Sequence, residues 1–513
     1  MSPSGGTPSQ FPSTAQSPPA VSQAPHRSRK VEWQAIAVVV FIVALYFGLV
    51  TLGQWQADEF NYFERLRHGI GQAYASRLQW SPRPLSEALY LGYGLLANCL
   101  GRPFAGGLLG LLWIEFLFCA GATALTSKSR ENRLLVLLLG FGLAAAFLTS
   151  GPLFQVFYWP AGTLAYLPTL SATLLLFLQI LDGQLSFSRG RTLCFVALLV
   201  AALSSEMGAM IASCCALLQS LAMLRGWDRN RREHERSAWW LVPGVVSGAV
   251  LFWLATHRLT ADESAFTVSS PALHDPLRSA TAAAKQLILE IAGCRNGTKR
   301  PLSAAVTVTA RLALATSVAL MWRTPRGESD SEPAEIRFQL LVLGASFLAA
   351  CFASLFASYL HFGDAGGERY EILRRCWITM TYIALIVSLG AAPLQRWRTG
   401  VALAPFLLVA AVLLPWHVSP LLREYVAYHR VRDAVESTFQ SGYRVDGERM
   451  ILVLPPSGGI ITPAMLAPGT YSRGSQAGGF NYAGYILAYF GKQTLVVSTE
   501  QSPTHPSTAS PVP

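Results

Sequence analysis

Gln54-Trp55-Gln56-Ala57-Asp58-Glu59-Phe60-Asn61-Tyr62 follows directly on the first long apolar run of the chain, Ala35–Gly53. That run is long enough to cross a bilayer, and two adjacent carboxylates leave it in the company of Trp55, Phe60 and Tyr62. Aromatic rings favour the membrane–water boundary, so Asp58 and Glu59 are expected at the lipid surface, just past a first transmembrane helix. This reading commits the chain to a membrane fold. An acid in a loop leaving a membrane is ordinarily a solvated acid. What singles out this pair is the polar company that gathers on the same side.

Composition points the same way. Hydrophobic residues make up 52% and charged residues 13% of 513 residues, with mean hydropathy +0.36. Soluble domains carry roughly a quarter charged residues, so the chain is built for lipid. The net charge of +11 arises largely from basic residues between apolar runs, which is a topology signal and excludes a nucleic-acid patch. Cys119, Cys194, Cys214, Cys215 and Cys351 lie within apolar runs and act as small hydrophobes. Neither metal-type cysteine spacing nor a disulfide framework is present.

The Ser/Pro/Gln-rich residues up to Pro25 predict a disordered tail, taken to end at Lys30. Arg27, Arg29 and Lys30 place that tail in the cytoplasm and the acidic pair outside. Pro84–Leu100 contains Glu87 and Asn98, and as a span it would put Lys128, Arg130 and Arg133 outside. It is read instead as an amphipathic helix on the outer surface, within an outer loop from Gln54 to Pro103. The spans that follow are Phe104–Leu125, Leu134–Ser150, Gly162–Leu181, Thr192–Ser204, Met207–Leu224, Ala238–Thr256, Leu302–Trp322, Phe338–Leu360, Ile372–Ala392 and Gly400–Trp416. With the first helix they give an all-α polytopic membrane protein of about eleven transmembrane helices. Every inner loop is then basic, Arg225–Arg236 with five arginines most of all.

Outer loops collect the unusual polar residues: Tyr158 and Trp159, Glu206, the long loop His257–Arg300, and His361–Arg375 with Glu368, Arg369, Arg374 and Arg375. After Trp416 an external C-terminal domain is expected up to residue 500, a small α/β cap in which Met450–Leu454 and Thr494–Val497 pair, before a final disordered tail.

Two acids at a membrane surface, with aromatics and arginines on facing loops, suit transfer of a sugar from a polyprenyl phosphate. A carboxylate accepts the acceptor hydroxyl's proton or holds a divalent cation. Arginine stabilises the departing phosphate by bidentate hydrogen bonding. Asp58 and Glu59 are the catalytic candidates. Arg83, Tyr158, Trp159, Glu206, Arg369 and Arg374 are candidates for substrate binding, and Asp58 with Glu206 for a divalent metal, Mg or Mn. Each has a bland alternative: Tyr158 and Trp159 as interfacial anchors, Arg83 as a headgroup anchor, Arg369 and Arg374 as partners of Glu368 and Glu371.

With its acidic pair in the first outer loop, an outer surface helix and an external C-terminal domain, the chain resembles the GT-C superfamily of polytopic glycosyltransferases. The element Tyr158-Trp159-Pro160-Ala161-Gly162 is similar to one in bacterial membrane proteins related to the O-antigen glucosyltransferases. The family often shows Asp-Asp or Asp-x-Asp, where this chain has Glu59 second. The resemblance implies a GT-C-like transferase on the outer face of a bacterial inner membrane. Its partners would be a polyprenyl-phosphate-linked sugar donor, membrane lipids and a glycan, lipid or protein acceptor. A flippase for a lipid-linked substrate would instead need charged residues inside several spans, and Glu115 and Arg311 are the main ones. A non-enzymatic envelope assembly protein is the third possibility.

Overall fold

The computed structural model describes residues 25–49, 53, 57–80, 82–100, 104–126, 130–148, 154–225, 238–258, 274–294, 301–322, 331–389, 418–423, 426, 447–454, 468–473 and 482–499. Residues 1–24 of the N-terminal tail and the expected span Gly400–Trp416 fall outside them; residues 25–30, expected to be disordered, instead begin the first helix. Within them the chain is mostly helical with one small sheet.

α1 (Pro25–Leu49) is followed by three helices in the expected outer loop: α2 (Ala57–His68), α3 (Ile70–Trp80) and α4 (Pro84–Leu100). Then come α5 (Phe104–Thr126), α6 (Arg130–Leu148), α7 (Pro160–Leu181), α8 (Ser188–Ser204), α9 (Glu206–Leu224) and α10 (Leu241–Arg258). Five helical stretches are long and apolar enough to cross a membrane: Pro160–Leu181, Glu206–Leu224, Pro301–Leu320, Ala334–Phe362 and Arg369–Leu389. Shorter apolar stretches lie in α1, α5, α6 and α10.

α7 is the axis of the bundle. Pro160 at its first position supplies a helical φ without wasting a donor, and nearly every residue from Gly162 to Leu181 is buried. A helix apolar on all sides belongs in a core, and α5 and α8 pack along it. Beyond α10 the expected outer loop contains a helix, α11 (Pro276–Ile291), which corrects the reading of His257–Arg300 as loop. Asp275 caps it, its carboxylate accepting from the Arg278 N–H at 3.0 Å. α12 (Pro301–Met321), α13 (Ser331–Phe362) and α14 (Glu368–Leu389) complete the bundle.

The helix ends sort into two groups. One end gathers Trp159, Ser204, Glu206 and Arg369, with the His274 N–H donating to Leu360 O at 2.9 Å. At the other, Trp322 Nε1 donates to Leu181 O at 3.1 Å, and Ser388 Oγ to Arg337 O at 3.2 Å.

A second core lies beside the first of these ends. β1 (Arg449–Leu454) and β3 (Thr494–Thr499) pair in parallel from Arg449↔Thr494, and β2 (Gly469–Ser472) pairs antiparallel to β3, giving the order β1-β3-β2. α15 (Tyr482–Phe490) covers the sheet and packs on α2. Phe60 meets Tyr489 and Phe490 at ring separations of 5.3 and 5.6 Å. Phe60, Phe63, Tyr90 and Tyr93 from α2 and α4 thus share one core with Met450, Leu452, Ile486 and Leu487.

Candidate functional site

Glu59 is fully buried in the first turn of α2, and its carboxylate closes the start of α7. Trp159 Nε1 donates to its Oε2 and the Ala161 N–H to its Oε1, each at 2.9 Å. Trp159 is the N-cap of α7 and offers no side-chain acceptor, and Pro160 carries no N–H. The helix therefore lacks an acceptor of its own at its positive end, and Glu59 supplies one from another element. The acidic pair and the Tyr158–Gly162 element are parts of one structure. Tyr158 stands buried in the π-helical turn Phe154–Tyr158 just before it. Asp58 lies on the same first turn of α2, its side chain outside the described residues.

The next two turns of α7 hold a second group. Ser86 Oγ of α4 donates to Leu164 O at 2.8 Å and to Ser204 O at 2.6 Å, tying α4 to α7 and α8. Arg83, just before α4, grips Glu206: Nε to Oε2 at 2.9 Å and Nη2 to Oε1 at 2.6 Å. Nη2 also donates to the Tyr166 hydroxyl at 3.0 Å. Burial alone would lower the proton affinity of Arg83, yet the Glu206 carboxylate holds it well above the ordinary guanidinium value. Arg369 of α14 lies 5.9 Å from the Tyr166 ring centroid and 5.4 Å from that of Tyr370, and the two rings meet edge to face at 5.7 Å.

Glu206 is placed by local chemistry. Ser205 is extended between α8 and α9, and its Oγ accepts from the Gly208 N–H at 3.0 Å. Glu206 is then the first residue of α9, where the helix dipole favours a carboxylate. A Cβ at position 208 would sit 1.9 Å from Ala201 O, so only glycine lets α8 and α9 fold back this sharply. Both Glu206 oxygens thus face the Arg83 guanidinium at 2.6–2.9 Å. Among the described residues no three His, Cys, Asp or Glu side chains converge as metal ligands.

Arg374 stands elsewhere. It is fully buried and forked on Glu290 of α11, Nε to Oε2 at 2.9 Å and Nη2 to Oε1 at 2.8 Å. This pairing ties α14 to α11. Arg375 pairs with Glu371 at 2.9 Å, and Arg311 Nη1 donates to the Glu290 and Ile291 carbonyls at 2.8 and 3.1 Å, capping α11. The Glu368 side chain lies outside the described residues.

Arg77 of α3 forks on Glu87 at 2.9 and 3.3 Å, over the stacked Tyr62 and Tyr90 rings, whose centroids are 4.5 Å apart. Burial and the Glu87 charge raise the Tyr62 phenol above its ordinary value. Sequence reasoning missed Tyr166 and Glu290. The Asp275-Pro276 start signal is one that would have located α11, whereas nothing in an apolar run distinguished Tyr166.

No protein-family model matches the chain, and a comparison with curated proteins finds no significant match.

Proposed function

We propose that the chain is a GT-C-type glycosyltransferase of a bacterial inner membrane, with about eleven spans, acting on the outer face. It moves a sugar from a polyprenyl-phosphate donor to a cell-envelope glycan, lipid or protein acceptor. The observation that carries the reading is the hold of Glu59 on Trp159 and Ala161. It sets Asp58 at the same bundle end as Arg83, Glu206, Tyr166 and Arg369. Asp58 takes the proton of the acceptor hydroxyl while that oxygen bonds the anomeric carbon. The bond from that carbon to the phosphate oxygen breaks with inversion, and the phosphate leaves with the electron pair. Arg369 offsets the charge growing on it, while Arg83 and Glu206 keep the Tyr166 wall in place.

The test is transfer by purified Asp58→Asn. The amide keeps the shape and loses the basicity, so transfer is expected to fall ~10²–10⁴-fold with the fold intact. Near-normal transfer would remove Asp58 from the chemistry.

One observation favours the flippase reading: Arg374, Glu290 and Arg311 place charges inside the bundle. These groups are engaged with one another and with helix carbonyls. Donor movement across vesicles without transfer would decide for that reading.

A further inference from the structure

Arg311 stands buried at the middle of α12, and Arg374 fully buried in the second turn of α14. Between them they have one carboxylate. Arg374 takes it, with Nε and Nη2 forked on Glu290, and among the described residues its Nη1 meets no acceptor. Arg311 Nη1 donates to the Glu290 and Ile291 carbonyls. Among the described residues its other N–H groups find no acceptor, and its charge finds no carboxylate within ion-pair distance.

The carbonyl end of α11 offsets about half a charge, and a water taking up the idle N–H groups brings none. A guanidinium left unbalanced inside a membrane bundle is costly, so the pair calls for an anion. Arg375, paired with Glu371 at 2.9 Å, lies within electrostatic range of Arg311 as well. The group borders accessible surface at the C-terminal turn of α11. Ile291, Cys294 and Tyr382 are only half-buried there, and the Tyr382 ring centre is 5.9 Å from the Arg311 guanidinium carbon.

We propose that Arg311 and Arg374 form a binding site for one phosphate-type oxyanion, seated against Arg374 Nη1 and the idle N–H groups of Arg311. Guanidinium N–H groups point in fixed directions and match the oxygens of such an anion, which a halide does not have. Its charge balances the guanidinium that Glu290 leaves over, while the carbonyls of α11 keep Arg311 in place. A free phosphate and the phosphate of a lipid headgroup present the same oxygens. The site uses none of the residues given to the transfer reaction, and the proposal does not depend on that reading.

Thermal unfolding of the full chain in detergent tests it, with inorganic phosphate and, separately, a long-chain alkyl phosphate titrated in at constant ionic strength. A saturable rise in unfolding temperature is expected for the parent chain. A rise with inorganic phosphate assigns a free anion, and a rise with the alkyl phosphate alone assigns a lipid headgroup. Arg311→Gln keeps an N–H for the α11 carbonyls and loses the charge, so half-saturation should move up at least ~tenfold. If that variant does not fold, Cys376→Asp decides. Cys376 lies within electrostatic range of both Arg311 and Arg375, so a fixed carboxylate there should abolish the rise. A parent chain with no saturable rise overturns the proposal, as does an equal rise with sodium chloride. An Arg311→Gln protein that keeps the parent's half-saturation overturns it too, and makes the arginine a cap of α11 only. So does a folded Cys376→Asp protein that keeps the rise.

Discussion

Asp58 and Glu59 are neighbours for which separate tasks are proposed, and the separation is measurable. Glu59 accepts two N–H donors, so Glu59→Gln must turn an NH₂ group toward either Trp159 Nε1 or the Ala161 N–H. Donor then meets donor, at a cost of about 1–3 kcal/mol for the buried group left unpaired. The expected outcome is a lowered unfolding temperature for Glu59→Gln, with transfer retained by the folded fraction. Asp58→Asn should show the opposite pattern. A Glu59→Gln protein that melts like the parent but transfers nothing would give Glu59 the chemistry. Both motifs were legible in the sequence, one as acids after a span and the other as aromatics before one. Their contact was not, because nothing in either stretch records a partner 100 residues away.

Among the elements, α11 shows why part of the fold escaped a reading of apolar runs. Its stretch carries Arg278, Lys285 and Glu290, too polar for a span, while Asp275 and Pro276 signal a helix start. What buries it is tertiary: Arg374 from α14 and Arg311 from α12 converge on its C-terminal turn. After that turn Gly293 has φ +82° and lies so close to Ala304 O that a Cβ would stand 2.5 Å away. Glu290→Gln breaks a fully buried ion pair and should cost about 3–5 kcal/mol, because Arg374 keeps its charge without a partner. Replacing both residues by leucine should recover much of that loss. Thermal unfolding of the two variants checks this, and a Glu290→Gln protein as stable as the parent would mean that Arg374 finds another anion. The α8–α9 turn was the reverse case: Ser205-Glu206 was legible as a break, and only the guanidinium that fills it came from outside.

At the scale of the whole molecule, the shared core of α2, α4 and the C-terminal sheet constrains the topology more tightly than charge counting does. Phe60 packs against Tyr489 and Phe490, so helices α2 and α4 and the C-terminal sheet lie on one side of any membrane the bundle crosses. The chain between α4 and β1 must therefore cross an even number of times. Taken as crossings, α5–α10 and α12–α14 are nine among the described residues, an odd number. The proposed span Gly400–Trp416, outside the described residues, would make that number even. With α1 that would give the eleven spans proposed, and the basic loops would set the side. Single cysteines at the exposed positions Gln72 and Arg473 should react with a membrane-impermeant maleimide added outside intact cells. A cysteine at Arg189, exposed at the opposite end of the bundle, should react only once the membrane is opened. The parent chain, with Cys99 exposed, sets the background. Opposite behaviour at 72 and 473 would deny the shared core. Protection at both with reaction at 189 would keep the core and invert the protein, placing Asp58 and the proposed chemistry on the cytoplasmic face.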